Sequence, residues 1–423
     1  MYGSIYNLDV PKMNIFNLYF LALYTGGQFL GGFINYKLRA LGNTSYIRFF
    51  VRIIFASCFF LALIKNKRLF LAVRFLQGIC LGIMLPGSLG DLFRLSPPNI
   101  KELAGSVVSF SFATGMTVGM LLIYFESLGW YSWKVIYIFL GSVQVFALLI
   151  NLFVHRIDLS FEQSVHKGDT ETARKILSRY LKSECVEFMI EEEEKFSAIS
   201  QRPGTTQSLF LAHYREFILV AVVMTGLTFN FTSLYSSYMM FFVCRDLEDP
   251  VEVRQSTLYL TIACGVEFFA KLAPLLFPSL TEKRKATLVR GSFIIAVLWG
   301  LMAYFYYRGD WFAQKILSIA WMAVLGFFIM PALFCMASDV LTSELMGLVF
   351  SYGRIIEIGV QTIFSLVFPK QKAKSLYWRA SIIFTGLSLV FVILFKLLLF
   401  ETKGLTKTQI HYILIGKKKR PAD

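Results

Sequence analysis

From residue 14 to residue 399 the chain repeats one pattern: an apolar run of roughly 20 residues, then a short polar connection. A run of that length crosses the ~30 Å hydrocarbon layer of a bilayer as an α-helix. The runs fall at 14–35, 48–64, 69–93, 104–125, 133–154, 217–243, 256–280, 287–306, 315–337, 346–368 and 378–399, which is eleven in all. Each is continuously apolar rather than alternating, so the spans of a β-barrel are excluded. The pattern therefore predicts an all-α, polytopic membrane protein.

The period breaks once, over 155–215, where the chain turns polar. There HKGDTETARKILSRYL reads as an amphipathic helix, and the run Glu191 to Glu194 as a solvated helix face. The break divides the chain into a five-span unit (1–154), a helical connecting loop (155–215), a six-span unit (216–401) and a basic tail (402–423). Lys37, Arg39, Arg48 and Arg52 flank one connection, Lys283, Arg284, Lys285 and Arg290 another, and Lys417 to Arg420 the tail. All fall on one side of the membrane when the C terminus is cytoplasmic, as the positive-inside bias requires. Lys65, Lys67, Arg68, Lys370, Lys372 and Lys374 fall on the other side.

Composition agrees: 56% of residues are hydrophobic and 16% charged, where a soluble chain carries roughly 25% charge. The net charge of +15 invites a nucleic-acid reading, but its basic residues sit in the connections and tail, where they orient a membrane protein. Cys58, Cys80, Cys185, Cys244, Cys264 and Cys335 include no CxxC pair, and His155, His166, His213 and His411 lie at span edges or in loops, so no metal site is predicted. The start, MYGSIYNLDVPK, lacks the basic and apolar regions of a cleavable signal. No Walker lysine, HExxH or GxSxG in a strand–turn–helix context is present; the chain reads as a non-enzyme without a cofactor of its own.

Two opposite-charge pairs lie inside apolar runs: Glu267 with Lys271, and Arg354 with Glu357. Glu267 and Lys271 are four apart, on one helix face. Ionisable groups at membrane depth are costly and mark cavities or substrate paths. The alternative is that each pair simply neutralises itself. Gly26, Gly27, Gly31 and Gly32 let a neighbouring helix approach closely, and Gly78, Gly82, Gly115 and Gly119 read as close-packing glycines of the same kind.

Several segments resemble signatures of the major facilitator superfamily. GGFINYKLRALG is similar to its G…DRxGRR turn, with Asn35 at the usual Asp, and SLTEKRKATLVRG to the shortened second-half repeat. VRFLQGICLG resembles RFxxGxxxG, matching at Arg74, Phe75, Gly78 and Gly82, and WKVIYI resembles the WR that opens a later helix. FETKGLTKTQI resembles the PETKG tail motif shared by sugar porters and organic ion transporters, matching at Glu401, Lys403 and Gly404. GVEFFAKL resembles the G-x-V-D/E-x-P-A-K-L run of the organic anion branch, with Phe269 at the Pro. FSYGRIIEIG resembles that branch's S…R-x-G helix, and NFTSLYSSY its aromatic stretch, best at Tyr235.

The resemblance implies a two-bundle fold and transport of small organic ions by alternating access, driven by a coupling ion or counter-solute, in the plasma membrane. Lys271 and Arg354 would hold an anionic substrate, with Phe229, Tyr235 and Tyr238 as an apolar platform and Glu267 and Glu357 as charge partners. Arg39, Lys283, Arg284 and the ETKGLT tail would form a cytoplasmic charge network that locks one state. The family's first helix has no counterpart beyond MYGSIYNLDVPKMN, so the chain is expected to be truncated or divergent. Sugar or organic cation transport, and a transport-inactive relative, are the rival readings.

Overall fold

The computed structural model describes residues 10–40, 45–97, 100–154, 161–166, 168–200, 218, 249–277, 283–340, 347, 349, 351–356, 359 and 374–415. Among them every regular element is helical. The first five apolar runs become α1 (Val10–Ala40), α2 (Ser45–Leu61), α3 (Lys67–Arg94), α4 (Lys101–Ser127) and α5 (Trp133–Val154). Three short helices follow: α6 (Phe161–His166), α7 (Thr170–Leu177) and α8 (Ser183–Ser200). Beyond them come α9 (Pro250–Leu276), α10 (Arg284–Arg308), α11 (Trp311–Val324), α12 (Met330–Val340), α13 (Lys374–Leu398) and α14 (Lys407–Ile415). A π-helical turn, Leu325–Ile329, joins α11 to α12. Among the described residues, seven spans are long and apolar enough to cross a membrane, including Pro250–Leu276, Arg284–Arg308 and Trp311–Val340. Most of the run 217–243 and much of 346–368 lie outside the described residues.

Local chemistry sets the helix ends. Asp249 caps α9 by accepting from Val251 N at 2.9 Å, with Pro250 in the first turn, and Asp310 caps α11 through Ala313 N at 3.0 Å. Gly309 ends α10 at φ 75°, a left-handed conformation that suits glycine. At α14, Thr406 and Gln409 exchange hydrogen bonds, each side chain accepting from the other's backbone N–H: a capping box with Gln at its fourth position.

Buried side chains form separate clusters. Val51, Phe55, Phe70, Val73 and Tyr137 belong to one, among α2, α3 and α5. Leu288, Ile295, Trp299, Trp321, Phe391 and Phe395 belong to another, among α10, α11 and α13. The GG…GG spacing of α1 works as the sequence predicts at Gly27, Gly31 and Gly32, but not at Gly26, where a Cβ would meet nothing within 4 Å. A Cβ on Gly27 would overlap Phe75 O of α3, and one on Gly31 would overlap Ile79 O, with Gly78 and Gly82 meeting α1 from the other side. Gly115 and Gly119 do not fit their prediction: a Cβ at either meets nothing within 4 Å. Their helix, α4, instead touches α9 through side chains, with Phe110 against Phe268 at 4.8 Å and Thr117 Oγ1 donating to Cys264 O at 2.9 Å.

The connector corrects two expectations. The amphipathic segment is not one helix from His166, because Gly168 turns at φ 77° and α7 begins at Thr170 under an Asp169 cap. Hydrogen bonding from the Thr172 side chain, and after it the cap bond from Thr172 N, holds the Asp169 carboxyl below its ordinary range. Nor is Glu191 to Glu194 a uniformly solvated face. Glu191 pairs with Lys195 at 2.7 Å, Glu193 is buried, and Glu192 accepts from Thr408 N at 3.0 Å, setting a negative charge at the N terminus of α14. Phe161, Val165, Leu177 and Ile190 give α6–α8 a small core of their own, against which Leu95 packs.

The glycine seam has a direct consequence. Gly31→Ala should lower the unfolding midpoint in detergent, by the ~1–3 kcal/mol typical of overpacking, whereas Gly119→Ala should leave it unchanged or raised.

Candidate functional site

The helix carrying Glu267 and Lys271 buries Leu260, Cys264, Glu267, Lys271 and Pro274, a stripe with helical spacing. The two charges therefore lie in the stripe that packs inward. Lys271 is 1% exposed, among the largest fully buried side chains, and its Nζ pairs with Glu267 Oε1. The π-helical turn closes over the pair: a Cβ on Gly326 would sit 3.1 Å from Glu267 Cγ and 3.0 Å from Glu267 O. On the far side of that turn, Phe328 and Ile329 press on Gly291 of α10. The structure thus joins the two residues that sequence reasoning paired, and it balances the lysine's charge inside the protein.

Arg354 is half-buried. One helical turn before it, Ser351 Oγ donates to Phe29 O of α1 at 2.9 Å and to Gly347 O at 2.9 Å. Gly347 meets Gly32 O and Asn35 Nδ2 of α1. The segment runs antiparallel to α1, so Arg354 lies ~4.5 Å beyond the Ser351 contact, alongside the middle of α1 rather than its end. Glu357, Phe229, Tyr235 and Tyr238 lie outside the described residues.

A second cluster sits where α3 ends, α4 and α10 begin and α12 ends, on the same side as α6–α8. Asp339 of α12 receives Lys101 Nζ from α4 at 3.1 Å and Arg284 Nη1 from α10. Arg284 Nη2 lies 3.7 Å from Glu102 Oε1, and Lys403 Nζ lies 3.5 Å from the same oxygen. Arg284 Nη1 also donates to Thr402 Oγ1 at 3.0 Å. The Glu401 carboxylate caps α10, accepting from Arg284 N at 3.1 Å and Lys285 N at 3.2 Å. An anion there meets the free N–H groups and the positive end of the helix dipole. Gly404 at φ 75° turns the chain after the cluster.

Of the residues that the sequence groups in a network, Arg284, Glu401 and Lys403 come together in this cluster. Lys283 is exposed and makes no cap bond, and nothing is described of the Arg39 side chain. Lys101, Glu102 and Asp339 were missed, while Thr402 lies in the tail segment that the sequence assigns to the network. Asp339 carried the same signal as Glu267, a carboxylate within an apolar helix.

Arg74 occupies a third polar site. Its guanidinium lies over Phe20 (5.0 Å), Phe70 (5.1 Å) and Tyr137 (5.1 Å) and donates to Gln77 Oε1 at 2.8 Å and to the Tyr137 hydroxyl. Desolvated cation–π contacts reach ~2 kcal/mol, enough to make this an anchor between α3 and α5. Among the described residues no group of His, Cys, Asp and Glu fits a metal.

A family model described as Major Facilitator Superfamily matches residues 2–357. No curated protein sequence matches. Among solved structures, the proton:xylose symporter XylE bound to 6-bromo-6-deoxy-D-glucose aligns with a TM-score of 0.77 at 14% identity, covering 97% of this chain and 93% of that one. An inward-open XylE from E. coli gives 0.64 at 15% identity, over 96% and 91%. The human organic anion transporter MFSD10 gives 0.60 at 15% identity, over 90% and 83%.

Removing one member of a buried ion pair strands the other at a cost of about 3–5 kcal/mol. Lys271→Met should therefore lower the unfolding midpoint sharply, and Lys271→Met with Glu267→Met should recover most of it. A double variant as unstable as the single would show that the two charges are not each other's partners.

Proposed function

The chain belongs to the Major Facilitator Superfamily, and on that premise we propose that it is a multi-pass transporter carrying small organic anions by alternating access. In this reading residues 1–154 and 216–401 are the two bundles, 155–215 is the cytoplasmic connector and 402–423 the tail, with the plasma membrane as its site. The observation that carries the reading is the Arg284 cluster, which ties Lys101 and Glu102 of α4 to Arg284, Asp339 and Lys403 of the other half. Two bundles that rock about a central site need one end held shut by contacts that break and re-form. Ion pairs between facing helices meet that need, because hydration compensates for their loss when the end opens.

The sign of the solute follows from Lys271 and Arg354. Lys271 is balanced by Glu267 on its own helix. A substrate carboxylate that displaces Glu267 meets a cation in low dielectric, where attraction is several-fold stronger than in water. Arg354 offers a guanidinium beside the seam between halves, able to hold a carboxylate by two hydrogen bonds. Energy comes from a coupling ion or a counter-solute. No step calls for a cofactor or for enzyme chemistry.

Reconstituted protein should exchange an anionic tracer across vesicles, and Arg354→Gln should reduce initial uptake at least ~tenfold, the equivalent of ~1.4 kcal/mol, with insertion unchanged. Unaltered anion exchange in that variant, or exchange of a neutral sugar alone, would overturn the assignment.

A further inference from the structure

The outer surface carries a groove between α10 and α13, with a volume of about 560 Å³. Gly300 and Gly386 form its floor. A Cβ on Gly386 meets nothing within 4 Å, and one on Gly300 meets only Thr385, at 3.9 Å. Ile382 and Leu389 line it and are 51% and 41% exposed, so lipid tails reach it. At the end away from the Arg284 cluster the groove meets Tyr304, Tyr307 and Trp378, with Tyr307 edge-on to Trp378 at 6.0 Å. Such rings settle at the membrane–water interface. Two cations rise from the same end: Arg308 lies over Tyr304 at 5.4 Å, and Arg379 over Trp378 at 5.5 Å. Both arginines are exposed.

The groove has the depth of one leaflet. The helical rise is ~12 Å from Gly300 to Arg308 and ~15 Å from Arg379 to Leu389, against ~30 Å for the whole hydrocarbon layer. An apolar slot of that depth, topped by two guanidinium groups, matches a molecule with a hydrocarbon tail and an anionic head. We propose that the α10–α13 groove is a binding site for an anionic phospholipid, with one acyl chain along Gly300 and Gly386 and its phosphate between Arg308 and Arg379. Guanidinium groups suit the phosphate because their planar donors grip its oxygens in pairs. Basic residues near a membrane surface also favour anionic over zwitterionic lipid.

The test uses the full chain in nanodiscs of equal phosphatidylglycerol and phosphatidylcholine, with retained lipid identified by native mass spectrometry. The wild type should retain phosphatidylglycerol. Arg308→Gln with Arg379→Gln should weaken that preference by about fivefold for each arginine removed. Gly386→Leu, which fills open space, should abolish retention while the unfolding midpoint without added lipid stays put. Equal retention of the two lipids by the wild type, or unchanged phosphatidylglycerol retention in both variants, would overturn the proposal. So would a dimer that Gly386→Leu dissociates, which would give the groove to a second copy of the chain.

Discussion

A charge inside an apolar layer is stable only when the protein itself neutralises it, and the architecture of this chain follows from how it meets that demand. Lys271 is as buried as the core tryptophans Trp299 and Trp321, yet its ammonium group is balanced one helical turn away by Glu267. Arg284 is 3% exposed and reaches Asp339, Glu102 and Thr402 at once. Arg74 is embedded in three aromatic rings. Each arrangement fixes the helices that contribute to it, because losing one partner leaves a charge that hydrocarbon cannot solvate.

The arrangements differ in what they tie together. Glu267 and Lys271 lie on one helix, so their pairing survives any movement of that helix as a body. The Arg284 cluster spans α4, α10, α12 and the segment after α13, so it survives only while those elements stay together. Gly27 and Gly31 seat α1 against α3 backbone to backbone within one half, and Gly32 meets Gly347 in the same way across the halves, with Ser351 donating to Phe29 O beside it. The halves therefore meet through close backbone and apolar contacts, Phe110 against Phe268 among them, as well as through the ion pairs of the Arg284 cluster, and rocking bundles need only the latter to part at one end.

Much of this was legible in the sequence, for physical reasons. Apolar runs long enough to cross a bilayer are a strong signal, and α3, α4, α5, α9 and α10 lie within a few residues of where the runs place them. The charges Glu267 and Lys271 stand out because their surroundings are apolar, whereas Arg284 was picked out by the resemblance of its basic connection to a family motif. Less visible was anything that depends on a remote partner. Glu102 looks like an ordinary first-turn acid of α4, and only the fold brings Arg284 and Lys403 to it. Glycine spacing misled at Gly115 and Gly119, because a small side chain permits close approach without requiring it. The acidic run in α8 misled because burial of Glu193 and the bond from Thr408 to Glu192 depend on where α14 docks.

The central claim is that the Arg284 end opens and closes as the protein works. Spin labels at Leu92 on α3 and Arg290 on α10, in a chain with its native cysteines replaced, would report the separation of the two halves near that end by electron–electron double resonance. The account predicts two separations whose populations shift when an organic anion is added, with Arg284→Gln moving the apo distribution toward the longer one. A single separation, unmoved by solute and by the substitution, would contradict it.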